Sequence, residues 1–251
     1  MRALCPPLVV ASLVLALPCL AQAEMDTQND TPSEAPSAPS SPQRLAWGVG
    51  LLRYQEPGLM RLTGPEVSLQ AQYQPEHPNL PERMQLDLGA ALVDYDSSHT
   101  GQLRDRAALN GRGTALWRLH SAPGLWHAGL QIDLAWTDLR GTSSTGHRGY
   151  RRLGSKAWAV LEHESTEGAR TSLGILVRGR QDSLLSDVGN RDVTNTQRRG
   201  YFLAYQHVPL APEWLSARPW ARLSQVNRSD NDGIYYEPRN RTLQLGVLFD
   251  F

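Results

Sequence analysis

Cysteine, lysine, net charge and long apolar runs are all scarce in this 251-residue chain. The two cysteines, Cys5 and Cys19, both fall within the first twenty positions, so the rest of the chain has no means of forming disulfides, performing thiol catalysis or ligating metals through sulfur. Charge of one sign is also missing. The 25 Lys and Arg residues equal the 25 Asp and Glu residues, which excludes a basic nucleic-acid binder. Beyond the extreme N-terminus no run approaches the roughly 18 apolar residues of a spanning helix. There is no zinc-like histidine cluster and no phosphate-cradling glycine loop, so neither a metal nor another cofactor is expected. Lys156 is the only lysine. Arginine supplies every other basic side chain, a bias that genome composition explains as readily as a need for phosphate or carboxylate forks.

The N-terminus has the layout of an export signal. Arg2 gives a positive start, Leu8–Leu17 is a ten-residue apolar core, and Ala21-Gln22-Ala23 is a small-x-small site before Glu24. The run is about half the length needed to cross hydrocarbon. Cleavage is therefore expected after residue 23, and Pro18 beside Cys19 speaks against a lipoprotein signal. Residues 24–43 are rich in Pro, Ser and Thr and carry four acids and no base, too little apolar surface to offset ordering entropy. They are read as a solvated spacer, with a periplasmic binding arm as the alternative.

From Arg44 onward the dominant period is two, the signature of strands. Trp126, Ala128, Leu130, Ile132, Leu134 and Trp136 share one face, and His127, Gly129, Gln131, Asp133, Ala135 and Thr137 the other. The two tryptophans are roughly 33 Å apart along an extended strand, or about 25 Å across a membrane for a tilted one. That matches an apolar band with an aromatic girdle residue, Trp126 or Trp136, at each boundary. Similar faces recur in Val67–Tyr73, Leu86–Leu92, Leu173–Val177 and Leu243–Phe251. Ten such runs are expected near 44–55, 65–74, 84–95, 112–121, 125–138, 155–164, 170–182, 199–208, 216–227 and 241–251, although uncertain boundaries leave eight or twelve open. The fold class expected is all-β, an antiparallel up-and-down transmembrane barrel over residues 44–251. Long connections, including Ser97–Asn110, Gly141–Gly154, Leu184–Arg198 and Asn227–Asn240, mostly alternate with short ones. Pro219 inside the ninth run requires an edge-like or bulged position.

The chain ends Gln244-Leu-Gly-Val-Leu-Phe-Asp-Phe251. Gln244, Gly246, Phe249 and Phe251 occupy the fixed positions of a pattern that resembles the terminal assembly signal of Gram-negative outer-membrane β-barrel proteins. The resemblance implies that the barrel assembly machinery reads this strand during biogenesis, and that Phe251 faces lipid at the periplasmic rim. It further implies an integral outer-membrane location among lipid and lipopolysaccharide, with the N-terminal tail in the periplasm. The competing reading, a secreted sandwich or lipocalin-like barrel with its apolar face inward, would call for an exterior richer in lysine.

With the polar faces inward, Glu66, Asp87, Arg118, Asp133, Lys156, Glu162, Arg178, Arg180, Arg218, Arg222 and Asp250 are expected in the lumen. Mixed signs in so narrow a space should pair, which favours a plugged interior. A narrow porin-like channel, with Arg178, Arg180, Arg218 and Arg222 as an anion-favouring ladder, is the alternative. An outer-membrane hydrolase comes third. Omptin-like proteases use an Asp pair facing a His-Asp pair; Asp94 and Asp96, or Asp182 and Asp187, supply carboxylates, but no such histidine stands opposite, and a carboxylate pair without its base lacks a means of activating water. His163-Glu164-Ser165 has the His-x-Ser spelling of outer-membrane lipid A deacylases, at the opposite leaflet. Recognition then falls to the outer loops, where Arg148, Tyr150, Arg151 and Arg152 are candidate contacts for phosphates or an unidentified surface ligand. The function expected is non-enzymatic ligand binding or support of envelope integrity.

Overall fold

The structure, a computed structural model, describes residues 44–57, 60–77, 79–97, 101–119, 124–139, 150–185, 193–210, 216–228 and 240–251. The expected signal segment 1–23 and spacer 24–43 lie outside them. Alternating sequence becomes ten strands: β1 (Arg44–Glu56), β2 (Met60–Tyr73), β3 (Arg83–Ser97), β4 (Gly101–Arg118), β5 (Leu125–Asp138), β6 (Tyr150–Glu164), β7 (Arg170–Leu185), β8 (Val193–Gln206), β9 (Ala217–Arg228) and β10 (Asn240–Asp250). Each strand pairs antiparallel with its sequence neighbours, and β1 pairs with β10, closing the barrel so that no edge is left open. The closing register sets Ala46 against Asp250, which puts the start of β1 and the end of β10 at one rim, here the near rim.

Strand alternation separates two environments. Leu45, Trp47, Val49 and Leu51 of β1 stand exposed on the outside, as do Leu130, Ile132 and Leu134 of β5, Leu173, Ile175 and Val177 of β7, and Leu203 and Tyr205 of β8. Aromatics crowd the exterior near this rim: Trp47 stacks on Phe249 at 4.8 Å, and Trp126 lies 4.7 Å from the His163 ring. Pro219 sits where β8 has ended. It pairs with Val247 of β10, and its carbonyl accepts the His207 N–H at 2.8 Å, so its missing donor is not needed there.

Two stretches expected as connections, residues 56–64 between the first two runs and Ser97–Asn110, are mostly strand. Only residues 57–59 separate β1 from β2, and only 98–100 separate β3 from β4, so Gly101–Asn110 is part of β4. These strands run past the apolar band, where outward side chains turn polar and the composition imitates a loop. Asp105 adopts φ 52° at a bulge, where Asp94 alone faces Arg104 and Asp105. The Asp94 carboxylate accepts the Asp105 N–H at 3.3 Å and pairs with Arg104.

A second bulge reverses part of the expected alternation. Ala157 of β6 pairs with Arg178 and Trp158 with Leu176, leaving Val177 as an extra residue in β7. A matching extra residue in β8, Arg198, falls between Gln197 and Arg199 opposite β9. Beyond these bulges Gly179 and Gln181 point inward, and both are buried. Arg178 and Arg180, expected in the lumen, are therefore on the exterior.

Candidate functional site in the lumen

The barrel interior is filled in layers, and each layer follows from which inward side chains the pairing brings level. At mid-height Asp133 of β5 is the hub. Its carboxylate accepts Gln131 Nε2 at 2.7 Å and the Trp158 indole N–H at 2.9 Å, with Arg112 Nε at 3.3 Å and Arg222 NH2 at 3.2 Å. Arg112 also lies 3.6 Å from Asp87, which accepts Gln70 Nε2 at 2.8 Å and Gln85 Nε2 at 3.0 Å. From Arg112 the network crosses to β10. Its NH2 donates to Gln244 Oε1 at 3.3 Å, and Gln244 Nε2 donates to Glu66 at 3.1 Å. Glu66 also accepts Asn110 Nδ2, an approach that Gly89 permits, because a Cβ there would stand 2.5 Å from Glu66 Oε1.

This layer draws side chains from β2, β3, β4, β5, β6, β9 and β10. Glu66, Asp87 and Asp133 are matched by Arg112, Arg222 and by Lys156, which pairs in register with Asp133. An electroneutral, hydrogen-bonded set is the arrangement that tolerates burial, since an uncompensated charge in a confined interior is expensive. Cavities of about 100 Å³ and about 130 Å³ flank it, and Asn110, Arg112, Arg222 and Gln244 line both.

Toward the near rim the filling is ionic. Arg83 pairs with Glu162 and, at 2.9 Å, with Glu164, which Arg170 approaches at 3.3 Å. Asp250 binds Arg218 and accepts the Ser216 hydroxyl at 2.6 Å. Toward the far rim Arg152 donates to Glu56 and to Gln181 Oε1, both at 2.7 Å, and lies 4.1 Å over the Tyr54 ring. Two apolar clusters complete the packing: Met60, Leu62, Val93, Tyr95, Leu103 and Leu139 in one, and Leu116, Trp158, Val160, Leu176, Phe202 and Val226 in the other. The mixed faces read around Trp158 and Phe202 follow from this second cluster. Both side chains point inward, in edge contact at 5.2 Å, with the Arg222 guanidinium 3.7 Å over the Phe202 ring.

The residues singled out from sequence distribute as follows. Glu66, Asp87, Asp133, Glu162, Arg218 and Arg222 face the lumen within these networks, and Arg118 lies at its near mouth, 4.0 Å from Glu82. Arg178 and Arg180 do not join them, because the Val177 bulge turns both outward. Trp126 and Trp136 are both on the exterior face of β5. In the terminal strand Gln244 is a buried lumen residue, and Gly246 accommodates Trp220, whose Nε1 would be 2.7 Å from an added Cβ. Phe249 stacks outside on Trp47, while Phe251 is exposed and donates its N–H to the Leu45 carbonyl at 3.1 Å.

The expected arginine clamp is not assembled. Arg148 lies outside the described residues, Tyr150 opens β6, and Arg151 and Arg152 follow on opposite faces of that strand, Arg152 being buried. Nor do the candidate hydrolytic groups converge. Asp94 and Asp96 face outward in pairs with Arg104 and Arg61, Asp182 receives Arg180 Nε at 2.9 Å, and Asp187 is outside the described residues. His163 stacks on the exterior, while Ser165 accepts the Ala169 N–H in its own turn at 3.0 Å. Among the described residues no group of three or more His, Cys, Asp or Glu could hold a metal ion. Sequence reasoning missed Arg112, placed Gln131 on the polar face without a role, and assigned Arg152 to a loop contact instead of the lumen. The polar alternation of Asn110, Arg112 and Thr114 carried the signal for the first, obscured by an expected strand start at residue 112.

No protein-family model and no curated protein sequence matches the chain. Solved structures do. The chain is similar to the outer membrane protease OmpT from Escherichia coli, at 9% identity over 86% of this chain and 98% of that one, with a TM-score of 0.43. It is also similar to the translocator domain of the autotransporter NalP from Neisseria meningitidis, at 9% identity over 83% and 89% of the two chains, TM-score 0.40. LpxR from Salmonella typhimurium matches at 10% identity over 83% and 100%, TM-score 0.32.

Proposed function

We propose that this chain is an integral outer-membrane barrel whose lumen is closed to solutes and which works at the cell surface without catalysing a reaction. The closed β1–β10 pairing, the apolar exterior and the C-terminal assembly pattern support the membrane assignment. The single observation that carries the closed-lumen reading is the wall-to-wall network through Asp133, Arg112, Gln244 and Glu66. An ion crossing this layer would have to break charge-assisted bonds that tie opposite walls together. The surface role then falls to far-rim connections such as 140–149, 186–192 and 229–239, which lie outside the described residues.

Planar-bilayer recording of the refolded protein tests this reading. Silent membranes are expected, and frequent discrete openings would overturn it. A second reading, a narrow channel, is favoured by the two cavities on either side of the network, since a rearrangement of Arg112 and Arg222 would join them. Under that reading the parent protein itself opens intermittently, and Arg112→Ala together with Arg222→Ala raises its conductance.

A further inference from the structure

Outward arginines are distributed very unevenly over the barrel. On four strands of one arc the outward side chain that follows the apolar band toward the far rim is arginine: Arg178 after Val177 on β7, Arg199 beyond Tyr201 on β8, Arg241 beyond Leu243 on β10 and Arg53 beyond Leu51 on β1. Arg180 and Arg198 extend the set, and β9 contributes Gln225, which accepts Arg241 Nε at 3.2 Å. The strands β7, β8, β9, β10 and β1 are consecutive around the wall, so this arc spans roughly 20 Å.

The rest of the exterior differs. On β6 Arg151 also follows outward Leu153, but in register with Asp138 of β5, and on β2, β3 and β4 the arginines are matched by acids, with Arg61 on Asp96 at 2.9 Å and Arg104 on Asp94. In the arginine arc the acid among described outward residues is Asp182, which Arg180 engages. At the near rim, described outward positions carry aromatics such as Trp47, Tyr73, Trp117, Trp126 and Phe249 rather than arginine. Arg178 owes its exposure to the extra residue Val177, without which strict alternation would have directed it inward. Cations set at the margin of an apolar band and, Arg180 apart, not neutralised by acids among the described residues, are placed for an anion carried by the lipid itself.

We infer that the arc formed by Arg178, Arg180, Arg199, Arg241 and Arg53 is a binding surface for the phosphate groups of an outer-leaflet glycolipid, the phosphorylated lipid A portion of lipopolysaccharide. The inference rests on the membrane reading above. Guanidinium forks match phosphate oxygens in a bidentate manner, and a lipid phosphate is presented at the height where the apolar chains end. It also sets orientation, with the arginine rim in the outer leaflet and the aromatic rim in the inner one.

The test uses the full chain refolded in zwitterionic detergent and titrated separately with bisphosphorylated lipid A, with the same lipid stripped of phosphate, and with phosphatidylglycerol. Retained lipid is measured by mass spectrometry. Bisphosphorylated lipid A is expected to bind, the stripped lipid to bind at least tenfold more weakly, and Arg178→Gln with Arg180→Gln and Arg199→Gln to weaken binding by roughly a hundredfold. Arg61→Gln with Arg104→Gln is expected to stay within about twofold of the parent. Equal binding of the stripped lipid, tighter binding of phosphatidylglycerol, or an unaffected triple variant would overturn the proposal. If the triple variant does not refold, Arg178→Gln alone and the salt dependence of the parent decide: binding that ignores both contradicts it. The gel mobility of each sample without boiling reports the barrel separately, so a folded barrel that fails to bind refutes the lipid site and not the membrane reading.

Discussion

Asp133 shows what a single side chain holds together, since its carboxylate receives two arginines, a glutamine and an indole inside the barrel. Removing it takes away the carboxylate that Arg112 and Arg222 share, leaving Asp87 beside Arg112 only. Asp133→Ala is expected to cost about 3–5 kcal/mol in urea unfolding from lipid vesicles, because one partner of a buried charge set is lost and the others stay. Asp133→Asn, which keeps an acceptor, should cost less; equal effects would show that charge is not what matters there. Gly246→Ala is a steric counterpart. Its Cβ would approach the Val49 carbonyl and Trp220 Nε1 to 2.7 Å, so a reduced folded fraction is expected on unboiled gels, where a neutral result would remove the packing role assigned to this glycine. Glu66, Asp87 and Asp133 were legible from sequence because each sits in an unbroken alternating run. Arg178 and Arg180 were not, since a bulge leaves no local mark in composition and inverts every side chain beyond it.

The matched bulges of β7 and β8 yield a prediction about elements. Ile175 pairs with Tyr201 and Gly179 with Gln197, so the two strands stay in register across their bulges although each is irregular against its outer neighbour. Deleting Val177 alone is expected to break the β7–β8 register and lower the folded fraction on unboiled gels. Deleting Arg198 as well should restore folding, because both extra residues are then gone, and failure of the second deletion to rescue would contradict the matched-bulge account. The ten strands themselves were readable from period-two pattern and turn residues. Strand ends at the far rim were not, because polar outward residues in Gly101–Asn110 resemble a loop while their backbone continues the ladder with β3.

At the scale of the whole molecule two features act together: an apolar exterior and an interior crossed by paired charges and packed side chains. The first predicts a cost for charge on the outside. Ile132→Arg, midway along the apolar face of β5, is expected to destabilise the vesicle-inserted protein by about 2–4 kcal/mol in urea unfolding, where a water-facing position would change it little. The filling of the interior was only half legible. Mixed charges in a narrow barrel foretold pairing, but the apolar packing of Trp158, Phe202 and Val226 depends on which inward residues the pairing brings to one level, a long-range property absent from any single run.

The most direct measurement is a nitroxide scan of residues 130–134 in refolded, vesicle-inserted protein whose Cys5 and Cys19 have been replaced. Collision with dissolved oxygen, which concentrates in lipid, is expected to be high at 130, 132 and 134 and low at 131 and 133, with a water-soluble nickel reagent excluded from all five. Strong nickel collisions at the even positions would contradict the lipid-facing exterior, and strong collisions at 131 and 133 would contradict the closed lumen.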